Sequence, residues 1–198
     1  MAPVKLTKNI SSKQFMWRND PRINAWTRQN GLISEADQAN WFKKIETDNT
    51  IQMFGILAPS KFLNKEFSQM LRPDQASGVL GVDYHVDTNV GTCGLTSISP
   101  VHGTAEFSLL IGPEYQNNGY GKAALIELLK YGFNHLRLNC IWGETFEGNH
   151  ALKMFLSLGM KEEGRLRSRY FKNGEYKDSI MVSILQSEAR SQSWWNGQ

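Results

Sequence analysis

Apolar residues recur at a helical period near the N-terminus and as alternating or continuous runs through the middle of the chain, and the switches between these patterns mark the elements. Asn19-Asp20-Pro21 opens a short helix, because a proline in the first helical turn forfeits no hydrogen bond. Ser34 with Asp37 has the spacing of a capping box, and Gln38, Trp41, Phe42 and Ile45 follow at i, i+3, i+4, i+7. This predicts a second, amphipathic helix. Residues 51–58, IQMFGILA, read as a buried strand. Residues 59–77 are polar, interrupted by Pro73 and without a clean period, so they are expected to form an inserted loop with at most one helical turn.

From Gly78 the pattern becomes sheet-like: VLGVDYHV, GTCGLTSIS and TAEFSLLIG, separated by turns at Asp87-Thr88-Asn89 and Pro100-Val101-His102-Gly103. These are expected to be consecutive antiparallel strands. Tyr120 to Phe133 is helical, with Ala124, Leu125, Leu128 and Leu129 as its core stripe, and residues 138–146, LNCIWGETF, form a buried strand after it. Strand, helix, strand implies a parallel crossover. A last helix, Ala151 to Leu158, stops at Gly159, and GRLRSRYF pairs with EYKDSIMVSIL across Lys172-Asn173-Gly174. The fold class is therefore mixed α/β (α+β): one domain over 1–186, with a central, mostly antiparallel sheet, flanking helices and a C-terminal β-hairpin. The polar stretch 187–198 is expected to be a flexible tail whose Trp194 and Trp195 are able to dock.

Composition narrows the function classes. Lys and Arg number 22 against 19 Asp and Glu, and a net charge of +3 does not indicate nucleic-acid binding by bulk field. No apolar run has the length of a signal peptide's core or a membrane span, so a soluble, cytoplasmic protein without membrane partners is expected. Cys93 and Cys140 sit in strand-like settings without CxxC or a His at ligand spacing, and read as buried thiols with no metal.

Candidate chemistry concentrates in EYQNNGYGKAAL, residues 114–125. A glycine pair between a strand and a helix lets backbone amides approach an anion, and the helix N-terminus adds about half a positive charge. GYGKAA fits the dinucleotide pattern GxGxxG/A, with Glu144 at a suitable distance, but Pro113 to Asn118 intervenes where that fingerprint has a tight turn. A triphosphate loop fails because Ala123 follows Gly121-Lys122. Gln116-x-x-Gly119-x-Gly121 resembles instead the acyl-CoA pyrophosphate loop of the GNAT N-acetyltransferase superfamily. Asn149 and Phe155-x-x-x-Gly159-Met160 resemble that family's closing segment. WRNDPRINAWTRQNGLISEADQANWF, PVHGTAEF and EEGRLRSRYFKNGEYKDSIMVSIL resemble its ribosomal-protein N-terminal and amino-sugar-nucleotide branch, the last most of all the pseudaminic-acid-pathway enzymes.

The resemblance implies acetyl-CoA as co-substrate, held by Gln116, Asn117, Asn118, Gly119, Tyr120, Gly121 and Lys122, with Asn149 and Phe155 nearby. It implies a strand around Leu110 and Ile111 that splays from the Cys140–Thr145 strand, offering an unpaired edge to the amide-rich pantetheine arm and a backbone donor to the thioester oxygen. Acetyl transfer to an amine with a pKa of about 10 needs a base. Glu144 is the first candidate, its carboxylate near apolar Ile141, Trp142 and Phe146, and Glu106 is the rival. The family's thiol-protonating tyrosine is matched here by Phe155, which has no proton to give; Tyr120, Tyr131 and Tyr170 are the alternatives. Arg18, Arg22, Arg28, Arg165, Arg167 and Arg169 are candidates for a second phosphate surface, with solvated surface charge as the simpler reading. The expected acceptor is a small-molecule primary amine, an amino-sugar nucleotide first, with a protein amine or nucleotide base as the alternative. An acyl-CoA-binding sensor without catalysis, and homodimerisation, stay open.

Overall fold

The computed structural model describes residues 2–10, 13–59 and 87–196. The expected strand at 79–86, and the expected loop apart from Pro59, lie outside these residues. The described helices are α1 (Lys13–Asn19), α2 (Pro21–Asn24), α3 (Glu35–Thr47), α4 (Tyr120–Asn134), α5 (Ala151–Ser157), α6 (Gln186–Ser191) and α7 (Ser193–Asn196). The described strands are β1 (Lys5–Thr7), β2 (Gln52–Pro59), β3 (Asp87–Ser99), β4 (Thr104–Ile111), β5 (Cys140–Phe146), β6 (Lys161–Lys172) and β7 (Glu175–Leu185). They form one sheet in the order β1-β2-β3-β4-β5-β7-β6. Every neighbouring pair is antiparallel except β4 and β5, between which α4 carries the chain back across the sheet. This is the mixed, mostly antiparallel architecture the pattern predicts.

Local chemistry sets the boundaries. Asp20 caps α2 by accepting from the Arg22 amide at 2.9 Å. Ser34 and Asp37 form the capping box in both directions, at 3.0 and 3.1 Å. Asn173 and Gly174, at φ 53° and 86°, make the two-residue turn whose twist suits a hairpin. On α4, Ala124, Leu125, Leu128 and Leu129 are fully buried against Cys93, Leu95, Ala105 and Ile141 of the strands. Truncating one of these leucines to alanine costs about 2–5 kcal/mol through lost transfer energy and the cavity left behind.

Three features differ from expectation. Asp87-Thr88-Asn89 is no turn: it continues β3, paired with Pro59, Ala58 and Leu57 beyond a bulge. Both α1 and β1 escape the pattern because each is too short for a period to show; β1 is fixed by pairing with β2. As far as it is described, through residue 196, the C-terminal stretch is not a loose tail. It forms α6 and α7, and Trp194 Nε1 donates to the Leu158 carbonyl at 3.0 Å while Trp195 packs on Phe133 with ring centroids 6.2 Å apart. Two indoles bury enough surface to outweigh the polarity of their neighbours.

Candidate active site

Among the described strands, the sheet forks between β4 and β5. β4 and β5 pair only through Thr104, Ala105 and Glu106 with Cys140, Ile141 and Trp142. Beyond that, β4 stays on β3 as far as Ile111 and β5 stays on β7 as far as Phe146, so two facing strand edges lack each other. The Phe107 ring fills the start of the fork: a Cβ on Gly143 would stand 2.3 Å from its Cε1. Phe155 meets the same ring edge-on, with centroids 5.0 Å apart. Gly112 donates to the Val90 carbonyl at 2.9 Å, and the β3–β4 register runs without a slip from Ile111 back to Glu106. Alternation therefore turns the Leu110 amide toward β3 and directs those of Leu109 and Ile111 at the fork.

The chain leaves β4 through a 3₁₀ turn, Pro113–Tyr115, and enters α4 at Gly119. Asn117 and Gly119 hold φ of 61° and 79°, the left-handed region that glycine and asparagine tolerate best. Asn118 Nδ2 donates to the Tyr115 and Gln116 carbonyls at 3.2 and 2.8 Å, and Gln116 Nε2 to the Ile111 carbonyl at 3.3 Å, so these amides shape the loop. No side chain caps α4 and its first turn carries no acidic residue. The amides of Tyr120, Gly121 and Lys122 thus have no partner inside the helix, which is what an anion site needs. Lys122 Nζ donates to Ser157 Oγ at 3.2 Å, linking the loop to α5. Trp17 of α1 braces the loop from the other side, donating from Nε1 to Glu114 at 3.2 Å and meeting Tyr115 edge-on. Asn149 accepts from the Ala151 amide at 3.0 Å and so fixes the start of α5.

Glu106 and Glu144, nominated separately in the sequence, come together at the fork. The Arg28 guanidinium bridges them, in close contact with Glu106 and 3.5 Å from Glu144. Glu144 also accepts from Ser179 Oγ at 2.5 Å and from the Tyr170 hydroxyl at 3.0 Å. Its carboxylate is thus ringed by donors, where the sequence suggested apolar neighbours. Burial opposes the charge on Arg28, but hydrogen bonding with Tyr170 and the Glu106 carboxylate outweigh it and hold the guanidinium above its ordinary value. Behind this cluster the buried Lys172 ammonium donates to Asn24 Oδ1 at 2.7 Å and to the Gln29 carbonyl, tying the hairpin to the segment that carries Arg28.

The remaining candidates are dispersed. Tyr131 packs on Phe54 and His135, Tyr120 lies against the core at the start of α4, and of the three tyrosines only Tyr170 touches a proposed base. Arg22 pairs with Asp20, Arg165 with Glu147 and Asp178, and Arg18 lies over Trp41, so these are engaged in separate places. A cavity of about 520 Å³ between α2 and the β6–β7 turn includes Asn24, Leu32, Phe171 and Lys172 in its lining, but no residue of β4 or β5. Cys93 and Cys140 are free thiols, both pushed up by burial. Among the described residues no group of acidic, His or Cys side chains is placed to hold a metal, and no helix is long and apolar enough to cross a membrane. Sequence reasoning missed Trp17 and Ser179, one in a helix too short to show a period and the other an ordinary strand serine.

A sequence profile described as the Acetyltransferase (GNAT) domain matches residues 9–161. The chain belongs to the GNAT acetyltransferase family. Among GNAT relatives, the spermidine N(1)-acetyltransferase of Vibrio cholerae is 33% identical over 105 residues, 52% of this chain and 61% of that protein. The Escherichia coli K12 spermidine N(1)-acetyltransferase is 34% identical over 99 residues, 50% of this chain and 53% of its own. The chain thus matches about half to three fifths of the length of these curated relatives. The crystal structure of spermidine N-acetyltransferase from Vibrio cholerae in complex with CoA and spermine superposes with a TM-score of 0.76 at 22% identity, over 94% of this chain and 97% of that one. The GNAT fold is shared across nearly the whole chain.

Proposed function

We propose that this GNAT protein is an acetyl-CoA-dependent N-acetyltransferase whose acceptor is a small, cationic primary amine of the polyamine class. The observation that carries the proposal is the divergence of β4 and β5 directly beyond a buried pair of carboxylates. Residues Gln116 to Lys122 would hold the pyrophosphate through the open first turn of α4, and the free edge of β4 would receive the pantetheine amides. Bound acetyl-CoA supplies an acetyl group activated as a thioester. Glu144 takes the proton that an alkylammonium must lose, with Ser179 and Tyr170 fixing its two oxygens. Glu106 holds positive charge beside it, and the amides of Leu109 and Ile111 face the space where a carbonyl oxygen would gain charge.

Two supports favour a polyamine over an amino-sugar nucleotide. The curated relatives named above are spermidine acetyltransferases, and the arginines suited to a second phosphate are largely paired with acids or stacked on Trp41. The apolar Phe155, buried against Phe107, favours the second reading, an acyl-CoA sensor without turnover. A thiol-release assay over spermidine, an amino-sugar nucleotide and a peptide amine separates these. The proposal expects acetyl-CoA-dependent release with spermidine well above the others; no release with any amine, despite acetyl-CoA binding, favours the sensor.

A further inference from the structure

We infer that Arg28 stands in for the acceptor's cationic nitrogen and sets the selectivity of the site for polycations. This rests on the amine-acetyltransferase reading above. Glu106 and Glu144 are fixed by sheet register and almost wholly withdrawn from water, their side chains 11% and 6% exposed, while Arg28 is 46% exposed. The carboxylates are the receptor and the guanidinium is the removable partner. Arg28 follows α2 in a segment that Lys172 anchors at Asn24 and Gln29, so its backbone stays in place while its side chain has solvent to swing into.

Charge counting gives the selectivity. Two carboxylates and one guanidinium leave a single negative charge, which a monoammonium balances without displacing anything. A di- or polyammonium engages both carboxylates only if Arg28 leaves. A buried carboxylate without a counter-charge is costly, so Arg28 returns when the acceptor departs. Its contact with Glu144, 3.5 Å, is the longer of the two, so the proposed base is the carboxylate it releases more readily. A ligand that binds only the Arg28-out state has its apparent affinity reduced by that state's population, about tenfold if Arg28 is in place in about 90% of molecules.

A purely structural ion pair predicts the opposite sign, because removing the cation would leave two buried carboxylates repelling each other and disrupt the site. Calorimetric titration of the CoA-loaded protein with spermidine, and with n-propylamine as a monocation, decides between them. Arg28→Gln is expected to tighten spermidine about tenfold and n-propylamine by less than about threefold, while Arg28→Lys stays within about threefold of wild type for spermidine. Arg28→Met removes the same charge and keeps the aliphatic stem, so a folding defect peculiar to glutamine does not decide the outcome. Weaker or unchanged spermidine binding in the charge-removing variants, or equal tightening of both amines, overturns the inference. Failure of the underlying reading shows separately, as a wild-type protein that takes up no acetyl-CoA.

Discussion

The two sides of the fork are built from different materials. The proposed donor side is backbone: the open edge of β4, the left-handed turn at Gly119 and the uncapped first turn of α4. The proposed acceptor side is side chain: Arg28, Glu106, Glu144, Tyr170 and Ser179 converge from five separate segments and satisfy one another. Backbone donors suit a ligand that never changes, since few substitutions can remove them. An interlocked set of charges suits a ligand that varies, because one substitution alters the balance of the whole set.

This contrast breaks most sharply at Glu144. Glu144→Gln is expected to lower turnover about 10²- to 10⁴-fold, the usual contribution of a general base, in steady-state assays with spermidine. Retention of full turnover would place the base elsewhere. Gly119→Asp attacks the other side. The left-handed φ of 79° disfavours any β-carbon, and the new charge faces the anion site. The substituted loop relaxes from this φ when free, and restoring it on binding against about 1–3 kcal/mol of strain corresponds to a roughly 5- to 150-fold loss of acetyl-CoA affinity, read by calorimetry. Unchanged affinity would exclude the pyrophosphate role.

The smallest effect concerns acid. Asp20 is held down to about 2 by its side-chain and then its backbone hydrogen bond with Arg22. Asp37 is lowered by hydrogen bonds from Ser34, and Asp178 by the Ser168 amide and Arg165. Each folded value lies below the unfolded one of about 4, so their stabilisation is complete above that pH and is lost as pH falls through the folded values. Asp20 caps α2, Asp37 lies in the first turn of α3 and Asp178 is on β7, so none of the three is on α4. Hydrogen exchange between pH 4 and 2 should therefore rise there before it rises in α4; simultaneous loss in both would contradict the contrast.

The same division explains what was legible in the sequence. The donor side follows order along the chain: a strand, a glycine-bearing turn and a leucine-rich helix lie in succession, so the loop is legible locally and its resemblance to the family's pyrophosphate loop proposes Gln116 to Lys122. The hairpin at Asn173-Gly174 and the capping box at Ser34 are legible for the same reason. The acceptor side depends on sheet register and crossings that no local pattern encodes. Glu106 and Glu144 are 38 positions apart in number but meet around Arg28, because β4 and β5 pair for only three residues before parting. Hence Arg28 reads from sequence as solvated surface charge or a candidate phosphate ligand, whereas the fold makes it the counter-ion of two acids. The flexible-tail expectation for the C-terminal stretch misleads for a related reason, since polar neighbours dilute a pair of indoles, Trp194 and Trp195, whose docking tertiary packing then selects.

The central claim is that donor binding and acceptor chemistry are separable across the fork. Calorimetric titration of acetyl-CoA into wild-type protein and Glu144→Gln, with NAD as the control ligand, tests it most directly. The account predicts closely similar acetyl-CoA affinity in the two proteins and no NAD binding in either. Acetyl-CoA binding that disappears with Glu144, or NAD binding at the same loop, would contradict it.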